Sequence, residues 1–278
     1  AHGMGALVRG GQQVLILMSG ETEHSIGRLL RTALARIQVR ARIRGAGWGA
    51  SDVLAAARTA DCLVGLPADL LYLCRTDGSL RPASVLLSAD YAPPCVLEAL
   101  RETWGCRALT HFGMTETGFG CAVQCAHGEG HHLRHPDLLV EIVDPGTGRQ
   151  LPPGTRGEIV LTTLRNEAMP LLRYRTGDLS RLETGPCACG GILARLGRVE
   201  GRLENEVPLG NGEALSIHRL DDLLFALPSV RAFEAELGGT VGRPRLSLMV
   251  DARGGFDRDA VAANLPSGLE LAWRQAPL

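Results

Sequence analysis

Between residues 13 and 113 the chain alternates short apolar runs with segments of helical period, and this alternation restricts the fold more than any other feature. "QVLILM" (13–18) is apolar and of strand length, and "HSIGRLLRTALARI" (24–37) then places Ile26, Leu29, Leu30, Ala33, Leu34 and Ile37 on one helical stripe. Ser51 stands where it would cap "DVLAAARTA", which leads into the apolar run "CLVGLP" (62–67). "PASVLLSA" (82–89) reads as a strand, "PPCVLEALRETW" (93–104) as a helix with proline in its first turn, and "CRALTHFG" (106–113) as a further strand. Strands separated by helical segments predict an α/β fold with a mostly parallel sheet and helices on its faces. Ligands of such sheets bind beyond the carboxyl ends of the strands. "HFGMTETGFG" (111–120) occupies one such end. Read locally, its Thr115 caps a turn and its Glu116 takes a favourable first-turn position. Read at the end of a parallel strand, the same two residues become candidates for a ligand site.

From about residue 137 the pattern changes. "DLLVEIVD", the turn "PGTG" and "LPPGTRGEIVLTTL" predict a layer rich in β-hairpins, and "PLLRYRTGDLSRL" (170–182) a strand ending at Gly177–Asp178. After the arginine- and glycine-rich stretch 195–212 the period changes again. "ALSIHRLDDLLFAL" (214–227) is helical, "VRAFEAELGG" and "PRLSLMVDAR" are strand-like, and "DRDAVAANL" is helical, which together predict a small α+β unit. The expected division is therefore 1–200 and 201–278, with the arginine-rich stretch as connector. A net charge of −1 gives no footprint for nucleic acid or anionic lipid, and no apolar run has the length of a membrane span. The 8 cysteines are too sparse for a disulfide scaffold, so a reduced, cytoplasmic protein is expected. All 29 basic residues are arginine, and a chemistry that needs an ammonium group must find it outside this chain.

"HFGMTE", "GTRGEIVLTTL", "EAMPLLRYRTGD" and "RLGRVEGRLEN" occur in an order and at spacings that resemble the adenylate-forming enzymes, in particular the phenylacetate–coenzyme A ligase family. The resemblance is good over roughly residues 85 to 220 and looser at the flanks. It implies part of a large domain of mixed sheets with helices and a β-rich layer, followed by a small, mobile α+β C-terminal domain. It also implies a two-step reaction, in which carboxylate and ATP give acyl-AMP and pyrophosphate, and the thiol of coenzyme A then displaces AMP. By this resemblance the nucleotide is held by Ser88, Ala89, Asp90, His111, Phe112, Gly113, Met114, Thr115, Asp178 and Arg202. Thr115, Glu116 and Arg202 carry the chemistry. Glu116 suits Mg2+, which prefers oxygen ligands, and the Thr115 hydroxyl can donate to phosphate. Phe112 falls on the aromatic that lies against adenine. Asp178 falls on the aspartate that receives both ribose hydroxyls, for which a carboxylate accepting two hydrogen bonds is well suited. Arg202 and Glu204 fall at the interdomain hinge. The implied partners are an aromatic or acyl carboxylate and coenzyme A, and the resemblance admits a homodimer.

Three features depart from the family pattern. No serine-, threonine- and glycine-rich phosphate loop precedes the motifs, the adenylation lysine has no counterpart, and "GRLENEVPLGNGEAL" replaces a more hydrophobic, aspartate-rich hinge. The chain therefore reads as the C-terminal two-thirds of a ligase. The second expectation is a degenerate, non-catalytic module that binds nucleotide or acyl-adenylate and acts in regulation.

A separate signal lies in the cysteines. Cys187 and Cys189 form "CACG", a glycine-flanked pair suited to a metal knuckle, and "QCAHGEGHHLRH" brings Cys125, His127, His131, His132 and His135. Three thiolates and one imidazole make a closed, tetrahedral, structural zinc site. Correspondence with some relatives selects Cys125, His132, Cys187 and Cys189, with His131 as the alternative to His132. The plain alternative is a pair of buried cysteines beside a histidine-rich solvent loop. Redox dithiol chemistry fits less well, because the pair is CxC and no thioredoxin-like pattern surrounds it.

Overall fold

The computed structural model describes residues 2–45, 49–118, 120–125, 127, 130–134, 136–165, 169–209, 212–240 and 243–277. His135, Glu167 and Ala168, which belong to segments singled out above, lie outside them.

The first part of the chain builds the expected parallel sheet. Its elements run β1 (Gln13–Ile16), α1 (Ile26–Ala35), β2 (Arg40–Ile43), α2 (Ala50–Ala57), β3 (Cys62–Gly65), α3 (Pro67–Thr76), β4 (Ser84–Leu87), α4 (Pro94–Trp104) and β5 (Arg107–Phe112). Every residue of β3 and β4 is buried, as continuous apolar strands covered on both faces should be. Two elements carry no clear sequence signal. β2 is the polar edge strand "RARI", which has little apolar pattern to read, and α3 follows β3 with Pro67 at its first turn. The expected cap at Ser51 is not used. Gly49 is the extended residue before α2, and Ala50, a strong helix former, begins the helix one position before Ser51.

After a turn, the antiparallel strands β6 (Ala122–Gln124) and β7 (His131–Leu133) extend this sheet, which β11 (Arg195–Leu196) completes. The order is β11-β7-β6-β5-β4-β3-β1-β2. Two apolar clusters flank it. One packs α2, α3 and α4 around Leu63, Leu70, Val85 and Trp104; the other packs α1 around Val14, Ile16 and Leu86.

β8 (Leu138–Val143), β9 (Gly157–Thr163), β10 (Tyr174–Ser180) and β12 (Gly201–Arg202) form a second, antiparallel sheet in the order β12-β10-β9-β8. A core around Phe112, Leu133, Val140 and Leu161 joins it to the first. β10 does not end at Gly177–Asp178 but passes through it. The register shifts between Arg175 and Leu179, and Gly177, at φ 76°, gives the bulge a conformation that disfavours side chains.

The last part contains the hairpin β13 (Val207–Pro208) and β14 (Ala214–Leu215), then α5 (Ile217–Phe225), β15 (Val230–Thr240), β16 (Arg243–Ala252), α6 (Arg258–Ala263) and β17 (Glu270–Gln275). Ser216 and Asp257 cap the two helices through side-chain bonds to the Arg219 and Ala260 N–H groups. A core of Leu220, Leu224, Leu248 and Val261 holds this α+β layer together. It is docked firmly on the first: Phe225 is buried in the cluster around α3 and α4, and the Arg75 guanidinium donates to the Phe225 and Val230 carbonyls. Among the described residues no helix is long and apolar enough to cross a membrane.

Candidate functional site

A cavity of about 630 Å³ opens beyond the carboxyl ends of β4 and β5, where a parallel sheet is expected to bind ligands. Two chain segments make its inner wall. Ala89, Asp90, Tyr91 and Ala92 follow β4, and Thr110, His111, Phe112, Gly113 and Met114 end β5. Ala89 holds φ at 67°, a conformation uncommon for a residue with a side chain, where the strand turns over the cavity. The second sheet and the connector close the other side with Asp178, Arg181, Val199, Gly201, Arg202 and Asn205, and His218 comes from α5.

Of the residues expected to hold nucleotide, Ala89, Asp90, His111, Phe112, Gly113, Met114, Asp178 and Arg202 face this one cavity. Phe112 does so while also packing in the core between the sheets. Ser88 is not on the wall; it is buried, and its N–H bonds the Gly65 carbonyl. Thr115 and Glu116 form a single 3-10 turn just past Met114, beside the wall. The local turn bonds are made by Thr117, whose hydroxyl donates to the Met114 carbonyl and accepts from its N–H, so Thr115 is not the cap. Among the described residues the exposed Thr115 hydroxyl makes no hydrogen bond, which leaves it available.

The acidic and basic groups converge although they are distant in sequence. Arg202 Nε donates to Asp178 Oδ1 at 2.7 Å, across the pairing of β10 with β12. The Tyr174 hydroxyl donates to Glu116 Oε1 at 3.2 Å. The Asp178 carboxylate keeps Arg202 firmly charged, with Glu116 adding a smaller pull in the same direction. Burial raises the Asp178 carboxyl above its ordinary value, and Arg202 opposes that rise. Burial likewise raises the Tyr174 hydroxyl, helped by Glu116. Tyr174, Tyr91, Arg198 and His218 were not singled out by sequence. Tyr174 stands in "RYRTGD" and Arg198 in "RLGRVEGRLEN", beside residues that were; Tyr91 and His218 carry no local signal.

The second expected centre lies at the β6–β7 end of the sheet. Cys125 follows β6, His132 is in β7, and Cys187 and Cys189 lie in the loop between β10 and β11. Their ligand atoms all fall within 4.8 Å of one another. Cys125 and Cys187 sulfurs are 3.6 Å apart, and Cys189 Sγ is 3.4 Å from His132 Nε2. Tetrahedral zinc with bonds of about 2.3 Å to sulfur and 2.0–2.1 Å to nitrogen needs separations of roughly 3.8 and 3.5 Å, so the four residues fit that ion. Gly191 lets the loop close, since a Cβ there would stand 3.0 Å from Cys189 Sγ. The Cys189 N–H, together with neighbouring side chains, draws the Cys187 thiol down to about 6. His131 points elsewhere. Its Nε2 is 2.7 Å from Thr110 Oγ1, and burial lowers its affinity for a proton to about 4. His127 contributes only its backbone N–H, to Cys125 Sγ.

Comparison with known proteins agrees with this geometry. The family model described as AMP-binding enzyme matches residues 20–165. The phenylacetate–coenzyme A ligase of Thermus thermophilus is 35% identical over 147 residues, which cover 52% of this chain and 33% of that enzyme. The chain thus spans about a third of the length of this relative in the matched region. In fold, it superposes with a TM-score of 0.81 on 2-hydroxyisobutyryl-CoA ligase in its postadenylation state with an acyl-AMP bound, at 20% identity over 99% of this chain and 64% of that one. With the same ligase in the thioesterification state, holding acyl-AMP and CoA, the TM-score is 0.65 at 20% identity over 98% of this chain and 63% of that one. The chain belongs to the AMP-binding enzyme family, the adenylate-forming enzymes, on its phenylacetate–coenzyme A ligase-like side.

Proposed function

We propose that the cavity holds an acyl-adenylate and that the chain serves an AMP-forming acid–thiol ligase. The observation that carries this reading is the meeting of Asp178 and Arg202 with Ala89–Asp90 and His111–Met114 around one cavity. Asp178 Oδ1 is taken by Arg202, which leaves the other oxygen for sugar hydroxyls. Phe112 offers an apolar ring at the wall for the base. Thr115, with its unused hydroxyl, would donate to the phosphate. Glu116, held by Tyr174, would take one position on Mg2+, whose other ligands come from phosphate oxygens and water. The ion would neutralise charge at the phosphate during attack by an aryl or acyl carboxylate. In the second half-reaction the thiol of coenzyme A attacks the acyl carbon and AMP leaves. Here the residues fix the nucleotide, so that the mixed anhydride presents one face to the thiol.

The test is direct. Protein mixed with phenylacetyl-AMP or benzoyl-AMP and coenzyme A should form thioester faster than the uncatalysed mixture, and AMP should inhibit. Thioester formation at the background rate, with no binding of AMP, would remove this reading. A second reading, a nucleotide-binding module without catalysis, is favoured by the absence of lysine alone; it predicts AMP binding without thioester.

We also propose that Cys125, His132, Cys187 and Cys189 bind zinc. With four protein ligands the ion has no open position, and its contribution is structural. It would tie β6 and β7 to the loop that precedes β11.

A further inference from the structure

The α+β layer places one side chain from the body of a helix on the wall of the nucleotide cavity, His218, and its surroundings leave the ring with nothing to bind. We infer that the His218 imidazole donates a hydrogen bond to a ribose hydroxyl of the nucleotide that Asp178 receives, so that the sugar site is shared between the second sheet and α5. The inference rests on the nucleotide reading of the cavity.

Four observations support it. Ser216 caps α5 through the Arg219 N–H, which fixes His218 in the first turn, while Leu220 and Leu224 bury the opposite face of the helix. The ring is gripped on two sides. It lies 4.4 Å, centroid to centroid, from Tyr91, and its Nδ1 stands so near Gly201 that a Cβ there would approach to 2.7 Å. Gly201, at φ 148°, is a position where a side chain would also be strained, so the backbone yields space to the ring. The ring lines the cavity together with Asp90, Asp178 and Arg202, near enough to Asp178 for the carboxylate to act on its charge. Finally, among the described residues neither ring nitrogen makes a hydrogen bond or ion pair; the ring's contacts are the tilted packing on Tyr91 and the close approach to Gly201.

The chemistry suits a diol. Each ribose hydroxyl can donate to the free Asp178 oxygen and still accept one hydrogen bond, and a neutral imidazole has one N–H to give. Burial favours that neutral form, although Asp90, Asp222 and Asp178 pull the other way. Arg202 already occupies one Asp178 oxygen, and His218 brings a further partner for the sugar from another element. Tyr91, itself held by Asp222 and by Arg198 over its ring, keeps the imidazole from turning away.

Isothermal calorimetry with AMP and with 2′,3′-dideoxy-AMP separates this contact from a structural role. His218→Ala should bind AMP about tenfold more weakly, the loss of one hydrogen bond, and bind dideoxy-AMP as the wild type does. His218→Gln, which keeps an N–H donor, should recover part of the loss. Unchanged AMP affinity in His218→Ala, with the wild type binding AMP, would overturn the inference and leave the nucleotide reading intact. Equal losses for AMP and dideoxy-AMP would assign His218 to the scaffold and also overturn it. A wild type that binds neither nucleotide would remove the nucleotide reading itself, and this inference with it.

Discussion

At Asp178 two demands meet on one carboxylate. It is 5% exposed, so burial alone would favour its neutral form, and it accepts from Arg202, which favours the charged one. The Thr176 hydroxyl fixes its backbone by accepting from the Asp178 N–H, and the bulge at Gly177 turns the carboxylate toward the cavity rather than into the β-ladder. If the remaining oxygen receives the sugar, Asp178→Asn should weaken AMP by roughly 10- to 100-fold, the range for a hydrogen bond to a charged acceptor. Pyrophosphate, which has no sugar, should bind no worse than before and more weakly than AMP in the wild type. Calorimetry decides, and equal AMP affinities for variant and wild type would sink the ribose role. The sequence made this residue legible because "RYRTGD" is contiguous, and Phe112, Gly113 and Met114 likewise stand in one run. Other pairs around the cavity were less legible. Tyr174 meets Glu116 across 58 positions and Tyr91 meets Asp222 across 131, and neither pairing leaves a trace in local composition or period.

Among the elements, the loop between β10 and β11 has little packing of its own. Ile192 is 99% exposed and Leu193 45%, so apolar burial does not hold it in place. Zinc would supply what packing does not, through Cys187 and Cys189 on the loop and Cys125 and His132 beside β6 and β7. A Cys187→Ser, Cys189→Ser double variant should lose about one equivalent of zinc and melt several degrees below the parent, measured by elemental analysis and thermal unfolding. Because the thiolates must lose protons to bind, zinc affinity should fall as pH falls. Parent protein purified without chelator and carrying less than about a tenth of an equivalent would end the idea. The cluster itself was readable as spacing, but the choice between His131 and His132 was not. Adjacent residues of a strand point to opposite faces, so β7 turns His132 to the cysteines and His131 to Thr110, and only the register of β7 against β6 settles which is which. Different limits hid β2 and α3. An edge strand such as "RARI" reads as loop because its pattern is polar, while α3 runs on directly from the apolar "CLVGLP", whose proline reads as a stop.

For the whole molecule, the contact between the first α/β part and the α+β layer combines apolar packing with a group poised to titrate. Phe225 and the Arg75 bonds to Phe225 and Val230 make the fixed part. Asp221, on α5, is the titrating part: burial first, then the Asp90 and Asp222 carboxylates, push it from 3.8 to about 7. His218 lies one turn earlier on the same helix, and Arg198 stands against the next residue, Asp222. A carboxyl raised on folding adds stability that is fully present below pH 4 and is lost as pH climbs through about 7, since ionisation then costs more in the folded protein than in the unfolded chain. Asp221→Asn should therefore melt close to the wild type at pH 5 and about 2–4 °C above it at pH 8, the shift expected for roughly 1 kcal/mol in a chain of this size class. Equal differences at both pH values would show that α5 docking is indifferent to this charge. The catalytic consequence of the composition belongs at the same scale. Adenylation gathers negative charge as pyrophosphate leaves, and a chain with no lysine has only guanidinium and imidazole groups to set against it, of which Arg202 is already paired with Asp178. Given ATP, Mg2+ and a panel of aryl acids, this chain should show little pyrophosphate exchange, while thioester formation from a supplied acyl-adenylate should persist, because the thiol attack expels AMP and asks for no ammonium. Brisk ATP-dependent exchange by the chain alone would mean that arginine or histidine fills the role, and Arg202→Gln and His218→Ala would then identify which.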